Sequence, residues 1–318
     1  MASKQICGPQ PKPESINCLK EIDCKQGAIR AVRFNVDGSY CLTAGADKSV
    51  KLWNPYRSLL LKSYAGHGQD VLDVHSSCDN SQMVSAGADR SILLWDVSTG
   101  KILRRWRGHA AAATAVRFCE TGACAVSGGR DNAVRVWDTR AYGLKPMQEI
   151  NQATDAITSV RVYEYEILTA SVDCKVRLYD VRVGKLTSDI VGAPITCANL
   201  TNDGQGLLMS RSDDIVLLLC KDSGELLAEY SGHKSGDCVL ESCVDANDSR
   251  VISGSACGNI WIWSMVEDPE KKPIKLLHNS AYAVCSVAAH PTQIGILLSA
   301  SGRTIKLWGD GSKQEDDL

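Results

Sequence analysis

The chain has 318 residues, 44% of them apolar, with 35 Lys and Arg against 37 Asp and Glu and a formal net charge of −2. That apolar share supports a sizeable core, and the near-neutral balance lacks the basic excess of a protein that grips nucleic acid mainly through its phosphates. The opening stretch "MASKQICGPQPKPES" has no apolar run of secretory type, and no stretch approaches the roughly 18 uninterrupted apolar residues of a membrane helix.

Residues 1–16 hold three prolines and read as a mobile N-terminal tail. "CLKEI" (18–22) follows and resembles the fourth strand of the later units. The first full unit begins with "AIRAVRF" (28–34), an alternation that suits a strand and is too short for a helix. A turn signal, "VDGS", leads to "YCLTAG"; an Asp turn leads to "SVKLW"; "LLKSYAGH" then runs into the next unit. The second unit repeats this order, with "AGADRSILLWDVSTG" (86–100) standing 42 residues after "AGADKSVKLWNPYRS". The third holds "ATAVRF" (113–118), "CAVSGG" and "AVRVW", and the fourth "ITSVRV" (157–162), "EILTAS" and "KVRLY". The third run of successive units ends at Trp53, Trp95, Trp137, Tyr179, Leu219, Trp263 and Trp308, in steps of 42, 42, 42, 40, 44 and 45 residues. Such spacing, of about 40–45 residues, is that of four-stranded blades set in a ring. "EDPEKKP" (267–273) reads as a solvated loop, and residues 310–318 as an acidic C-terminal tail.

Nothing after Trp308 resembles a fourth strand, so the seventh unit is one strand short. The expected fold is therefore all-β, a single seven-bladed ring over 17–309 in which "CLKEI" pairs beside 303–308. Closure of this kind removes the open edge that a stack of sheets would expose.

Polar residues recur along with the apolar ones. His67, Ser85, Asp89 and Trp95 of the second unit correspond to His109, Ser127, Asp131 and Trp137 of the third. A catalytic set is needed once per site, so residues repeated unit after unit are assigned to structure. The turn Asp accepts from the His, and His, Ser and Trp link on to the third strand. The same offsets put Lys25 and Ala153 at the His position of units one and four. They put Met209 and Leu298 at the hydroxyl position of units five and seven. Cys257 and Gly302 fall at the turn Asp of units six and seven, and His233 keeps its place without an Asp. The bond chain is expected to be best in units two and three and weakest in five and seven.

"GH" at 66–67 with "WD" at 95–96, and "GH" at 108–109 with "WD" at 137–138, resemble the signature of WD-repeat proteins. That resemblance implies a seven-bladed WD-repeat β-propeller. "GAIRAVRFNVDGSYCLTAGADKSVKLWNP", "YEILTASVDCKVRLYDVRVGKLTSDIVGAPITC" and "DSGELLAEYSGHK" are similar to the mitogen-activated protein kinase organiser type of that family. This closer resemblance implies a non-catalytic scaffold for kinase-cascade components. It also implies a subunit of the spliceosome in its catalytic stages, resident in cytoplasm and nucleus, with a single ring working inside larger protein assemblies.

No catalytic motif is legible. The nearest approach to a G-x-S-x-G elbow, "GSACG" (254–258), has Ala256 at the nucleophile's place. Phosphate-loop, H-E-x-x-H and EF-hand spacings are missing. His75, His278 and His290 read as surface or satisfied histidines. No enzyme activity, metal or cofactor is expected, and no membrane contact. The 14 cysteines include no C-x-x-C pair, and Cys41, Cys124, Cys197 and Cys285 sit in apolar runs as structural thiols of a reducing compartment. "RRWR" (104–107) is the one compact basic cluster. Direct RNA contact through its arginines and a stacking Trp106 is the alternative reading; charge that guards an outer strand is the favoured one.

Partners are expected on the rim beside the Gly-His and Asp turns, at residues the scaffold does not require. These are Gln26, Gln69, Asp70, Arg130, Thr154, Asp155, Lys234 and Tyr282, with a bare stretch at Ala110–Ala113. Arg130 and Tyr282 lead, because interface hot spots favour Arg, Tyr and Trp.

Overall fold

The computed structural model describes residues 16–236, 238–265, 273–277 and 280–310. Within them 28 strands form seven four-stranded antiparallel sheets, and no helix occurs. The sheets are the blades of a seven-bladed β-propeller.

Blade two shows how the sequence makes a blade. Its strands are Val71–Ser76, Gln82–Gly87, Ser91–Asp96 and Ile102–Arg107, from the channel outward. The second and third are covered on both faces by neighbouring blades, so they read as near-continuous apolar or small-residue runs. The fourth is exposed or half-buried except at Trp106, its one buried residue. The turn between second and third strands needs a left-handed residue, and it falls at one place around the ring. Lys48, Arg90, Asn132, Cys174, Asp214 and Gly258 have φ of 68°, 66°, 62°, 65°, 68° and 73°. Each stands five residues before its blade's aromatic or Leu219. In blade seven the turn is shorter, and Gly302 (φ 56°) takes the role.

Blades are fastened to each other by aromatic pairs. The third-strand tryptophan of one blade packs on the outer-strand aromatic of the blade before it. Trp95 meets Tyr64 at 5.9 Å between ring centroids, Trp137 stacks on Trp106 at 5.6 Å, and Trp263 meets Tyr230 at 5.8 Å. Around the first of these contacts Leu42, Val50, Val71, Met83 and Leu93 form one core cluster.

The ring is closed by the start of the chain. Ile16–Asp23 pairs antiparallel with Thr304–Asp310, from Ile16 opposite Asp310 to Asp23 opposite Thr304, with a register shift between Cys18 and Lys20. Blade seven thus takes three strands from the C-terminal part of the chain and its outer strand from the N-terminal part. Strand residues extend one position beyond 17–309 at each end. The remainder of both tails, most of "EDPEKKP" and His278 lie outside the described residues.

Candidate functional site

The recurring polar residues converge between the strands of blades two and three. In blade two, Trp95 Nε1 donates to Ser85 Oγ at 2.9 Å, Ser85 Oγ lies 2.7 Å from His67 Nε2, and His67 Nδ1 lies 3.1 Å from Asp89 Oδ1. Blade three repeats the chain through Trp137, Ser127, His109 and Asp131 at 2.8, 2.8 and 2.9 Å. The tryptophan can only donate, so each serine passes its proton toward Nε2, and His67 turns Nδ1–H toward Asp89; in blade three Arg135 Nη1 also lies 2.7 Å from His109 Nδ1. Burial alone would raise the Asp89 and Asp131 carboxyls. The bonds from His67 and His109 and from the backbone N–H of Gly68 and Ala110 outweigh it and hold both below the usual carboxylate range. Arg135 adds an ion pair to Asp131 at 2.7 Å.

Two assignments made by counting are corrected. In blade one the His position is filled by Gln26, not Lys25. Gln26 is fully buried, accepts from Thr43 Oγ1 and donates to the Ser49 carbonyl at 3.0 Å, while Trp53 Nε1 donates to Thr43 Oγ1 at 3.0 Å. It is a link in the structural chain and cannot dock a partner. In blade seven the hydroxyl comes from Ser299, not from the position of Leu298: Trp308 Nε1 donates to Ser299 Oγ at 2.8 Å. That blade is therefore stronger than its sequence suggests.

In blade four Arg177 replaces the missing histidine, with Nη2 2.7 Å from Asp173 Oδ2. In blade six both ring nitrogens of His233 are buried without a hydrogen-bond partner among the described residues. In blade five Asp213 pairs with Arg211 instead.

Of the remaining rim residues, Gln69, Arg130, Thr154, Asp155 and Lys234 are exposed, and Tyr282 is 66% exposed. The backbones of Arg130, Thr154, Lys234 and Tyr282 are tied down while most of the side chains reach solvent. Arg130 N–H donates to the Ala112 carbonyl at 2.8 Å, and the Lys234 carbonyl accepts from Ala256 N–H at 2.7 Å. The Tyr282 ring lies over Gly302, where a Cβ would fall 2.7 Å from it. Asp70 is half-buried and paired with Arg30 at 3.1 Å, and the Thr154 hydroxyl is spent on Asp173 at 3.2 Å.

Asp70, Ala112 and Arg130 line the mouth of a cavity of about 780 Å³ in the central channel, and a smaller one of about 360 Å³ opens at the opposite end. Between them lies a charged belt. Arg33 reaches Asp73 at 2.8 Å and clamps Glu241 with both terminal nitrogens; Arg117 also pairs with Asp73. Burial would raise Asp73, but Arg117 and Arg33 pull it down to about 2. Burial and then the Arg117 charge push His75 down to about 3, so it stays neutral. The belt ties inner strands of blades one, two, three and six together, and it was missed in the sequence. Its signal was an arginine in "AVRF", twice, where the innermost strand of a packed ring calls for small or apolar residues. Among the described residues no group of three or more His, Cys, Asp or Glu is placed to hold a metal ion. No helix among them is long and apolar enough to cross a membrane.

"RRWR" forms the outer strand of blade two. Trp106 is 1% exposed and stacked on Trp137, so it cannot stack on a base. Arg104 lies over the Tyr142 ring at 4.5 Å, and Arg105 donates to the Gly66 carbonyl at 2.8 Å. The RNA reading loses its stacking platform.

A seven-bladed ring with this repeated Trp–Ser–His–Asp chain defines the WD-repeat propellers, and the chain belongs to the WD40 repeat family. The family model described as "WD domain, G-beta repeat" matches residues 16–54, 58–96, 100–138 and 224–264. Those segments end in blades one, two, three and six, each of which has its third-strand tryptophan and a buried His or Gln at the position that heads the chain in blades one to three. The chain is 55% identical over 304 residues to "WD repeat domain-containing protein 83" of Rattus norvegicus, covering 94% of this chain and 95% of the rat protein. It is 51% identical to the Homo sapiens protein of the same name, over 97% of this chain and 98% of that one. The "WD repeat domain-containing protein 83 homolog" of Dictyostelium discoideum is 30% identical over 92% of this chain and 98% of its own length.

Proposed function

We propose that the protein is a non-catalytic scaffold that receives partner proteins on the rim carrying Arg130 and Tyr282. The observation that carries this reading is a division of labour. The polar residues that look catalytic are used up inside the blades, whereas Gln69, Arg130, Lys234 and Tyr282 stand in solvent, Arg130 on fixed backbone beside the channel cavity. Rigid strands with variable loops suit presentation of a surface. WD40 propellers in general mediate protein–protein contacts. The finer reading assigns the partners to a kinase cascade and to the catalytic-stage spliceosome, in cytoplasm and nucleus. Its support is the similarity of three long segments to the mitogen-activated protein kinase organiser type.

Affinity purification from nuclear and cytoplasmic extracts, run side by side with wild type and Arg130→Ala/Tyr282→Ala, tests both parts. The proposal expects kinase-cascade proteins in the cytoplasmic recovery, splicing factors in the nuclear one, and loss of both with the variant. Recovery of neither class by wild type contradicts the finer reading, and full recovery by the variant contradicts the rim.

A further inference from the structure

The turn between the first and second strands is built alike in most blades. The residue after the first strand offers a side-chain acceptor to the backbone N–H five residues on. Asn35 Oδ1 accepts from Tyr40 at 2.9 Å, Ser77 Oγ from Gln82 at 3.0 Å, Thr201 Oγ1 from Gly206 at 2.7 Å and Asp245 Oδ1 from Arg250 at 3.1 Å. In blade three that acceptor is a sulfur: Cys119 Sγ accepts from the Cys124 N–H at 3.1 Å. The residue opposite is also a cysteine, and the two sulfurs lie 3.2 Å apart. Phe118 pairs with Ala125 next to them, and Cys119 N–H donates to the Cys124 carbonyl at 2.9 Å. The two cysteines thus face each other as a cross-strand pair, at a separation a disulfide can span.

We propose that Cys119 and Cys124 form a reversible, peroxide-responsive dithiol, with Cys119 the attacking sulfur and Cys124 the resolving one. A seat made for an oxygen acceptor favours sulfur as the thiolate. Hydrogen bonds from the Cys124 thiol, from Thr121 and from the Cys124 backbone lower the Cys119 thiol, while the Cys124 thiol is raised by its bond to Cys119 and by burial. The Cys119 thiolate attacks one oxygen of hydrogen peroxide; the O–O bond breaks, an S–O bond forms, and hydroxide leaves and is protonated to water. The Cys124 sulfur then attacks the Cys119 sulfur; the S–S bond forms, the S–O bond breaks, and the departing hydroxide takes the Cys124 proton as a second water. The sulfurs together lose two electrons and the peroxide gains two. A dithiol reductant reverses the change by exchange.

The pair differs from Cys18, Cys78 and Cys257, which are exposed but have no thiol at such a distance among the described residues. The test treats the reduced full-length protein with one equivalent of hydrogen peroxide, with and without dimedone, and maps every cysteine by peptide mass. Cys124→Ser and Cys119→Ser are run in parallel; the latter restores the hydroxyl that Ser77 supplies in blade two, so the turn is kept. The proposal expects a Cys119–Cys124 cross-link in wild type. In Cys124→Ser it expects a dimedone adduct at Cys119, at least about tenfold over Cys78. In Cys119→Ser it expects Cys124 to stay reduced. Oxidation gathered on Cys18, Cys78 or Cys257 with the pair still reduced overturns it, as does an adduct at Cys124 in Cys119→Ser.

Discussion

At the scale of single residues, the protein uses one hydrogen-bond chain with interchangeable heads. Histidine, glutamine and arginine each bind or face the turn Asp, in blades two and three, one and four respectively. Loss of Asp89 leaves His67 buried with a free N–H, so Asp89→Ala is expected to cost about 1–3 kcal/mol. Asp213 sits on the surface with Arg211, and its removal is expected to cost less than about 1 kcal/mol. Thermal or urea unfolding of the two variants decides it; a larger loss for Asp213→Ala contradicts the ranking. Gln26→Ala is expected to fall in the range of Asp89→Ala and Gln26→His to recover most of that stability, although both sit where a partner contact was expected.

Acid should act on the same chain. Burial, with the Arg135 charge, lowers the His109 imidazole against the pull of Asp131, so the unfolded chain takes up that proton first. The stability contributed by neutral His109 is complete above about pH 6.5 and declines as pH falls below it. Asp131 is depressed, so its contribution persists above about pH 3.9 and is lost below. Urea midpoints measured between pH 7 and 5 are expected to fall for wild type and to change less for His109→Gln, which copies blade one. Equal pH slopes would contradict this.

At the scale of strands and turns, the legible and the illegible part cleanly. The strands recur at fixed period because every blade must bury its second and third strands between neighbours, and this repeated constraint is visible in the sequence. Loops carry no such constraint and gain or lose single residues. Both misplacements come from there: Gln26 for Lys25 reflects a connection into blade one that is a residue shorter than that holding His67, and Ser299 for Leu298 reflects the short turn at Gly302. The charged belt was hidden for another reason. Arg33 and Arg117 meet Asp73 and Glu241 only when distant strands are brought around one axis, so the two "AVRF" arginines signal a buried charge without reporting its partners. The exposure of Gln69, Arg130, Lys234 and Tyr282 was legible as what remains once the structural residues are subtracted, whereas Gln26 was wrongly left in that remainder.

At the scale of the whole molecule, the ring depends on its closing strand. Ile22 is buried among residues of blades one and seven and Ile16 among residues of blades six and seven, and the strand supplies the whole outer edge of blade seven. Replacing Ile22 by Asp puts a charge into that seam, and a loss of several kcal/mol is expected, enough to lower the melting temperature by about 10 °C or more. A melt within a degree or so of wild type would mean that closure contributes little. Beyond closure, the molecule separates the residues that hold it together from those that stand exposed on the rim. Melting temperature and partner recovery measured together on Asp89→Ala and Arg130→Ala/Tyr282→Ala test that separation most directly. The account predicts a lower melting temperature with binding kept at low temperature for the first, and an unchanged melting temperature with recovery lost for the second. Recovery intact in the rim variant, or a rim variant that unfolds as readily as Asp89→Ala, would contradict it.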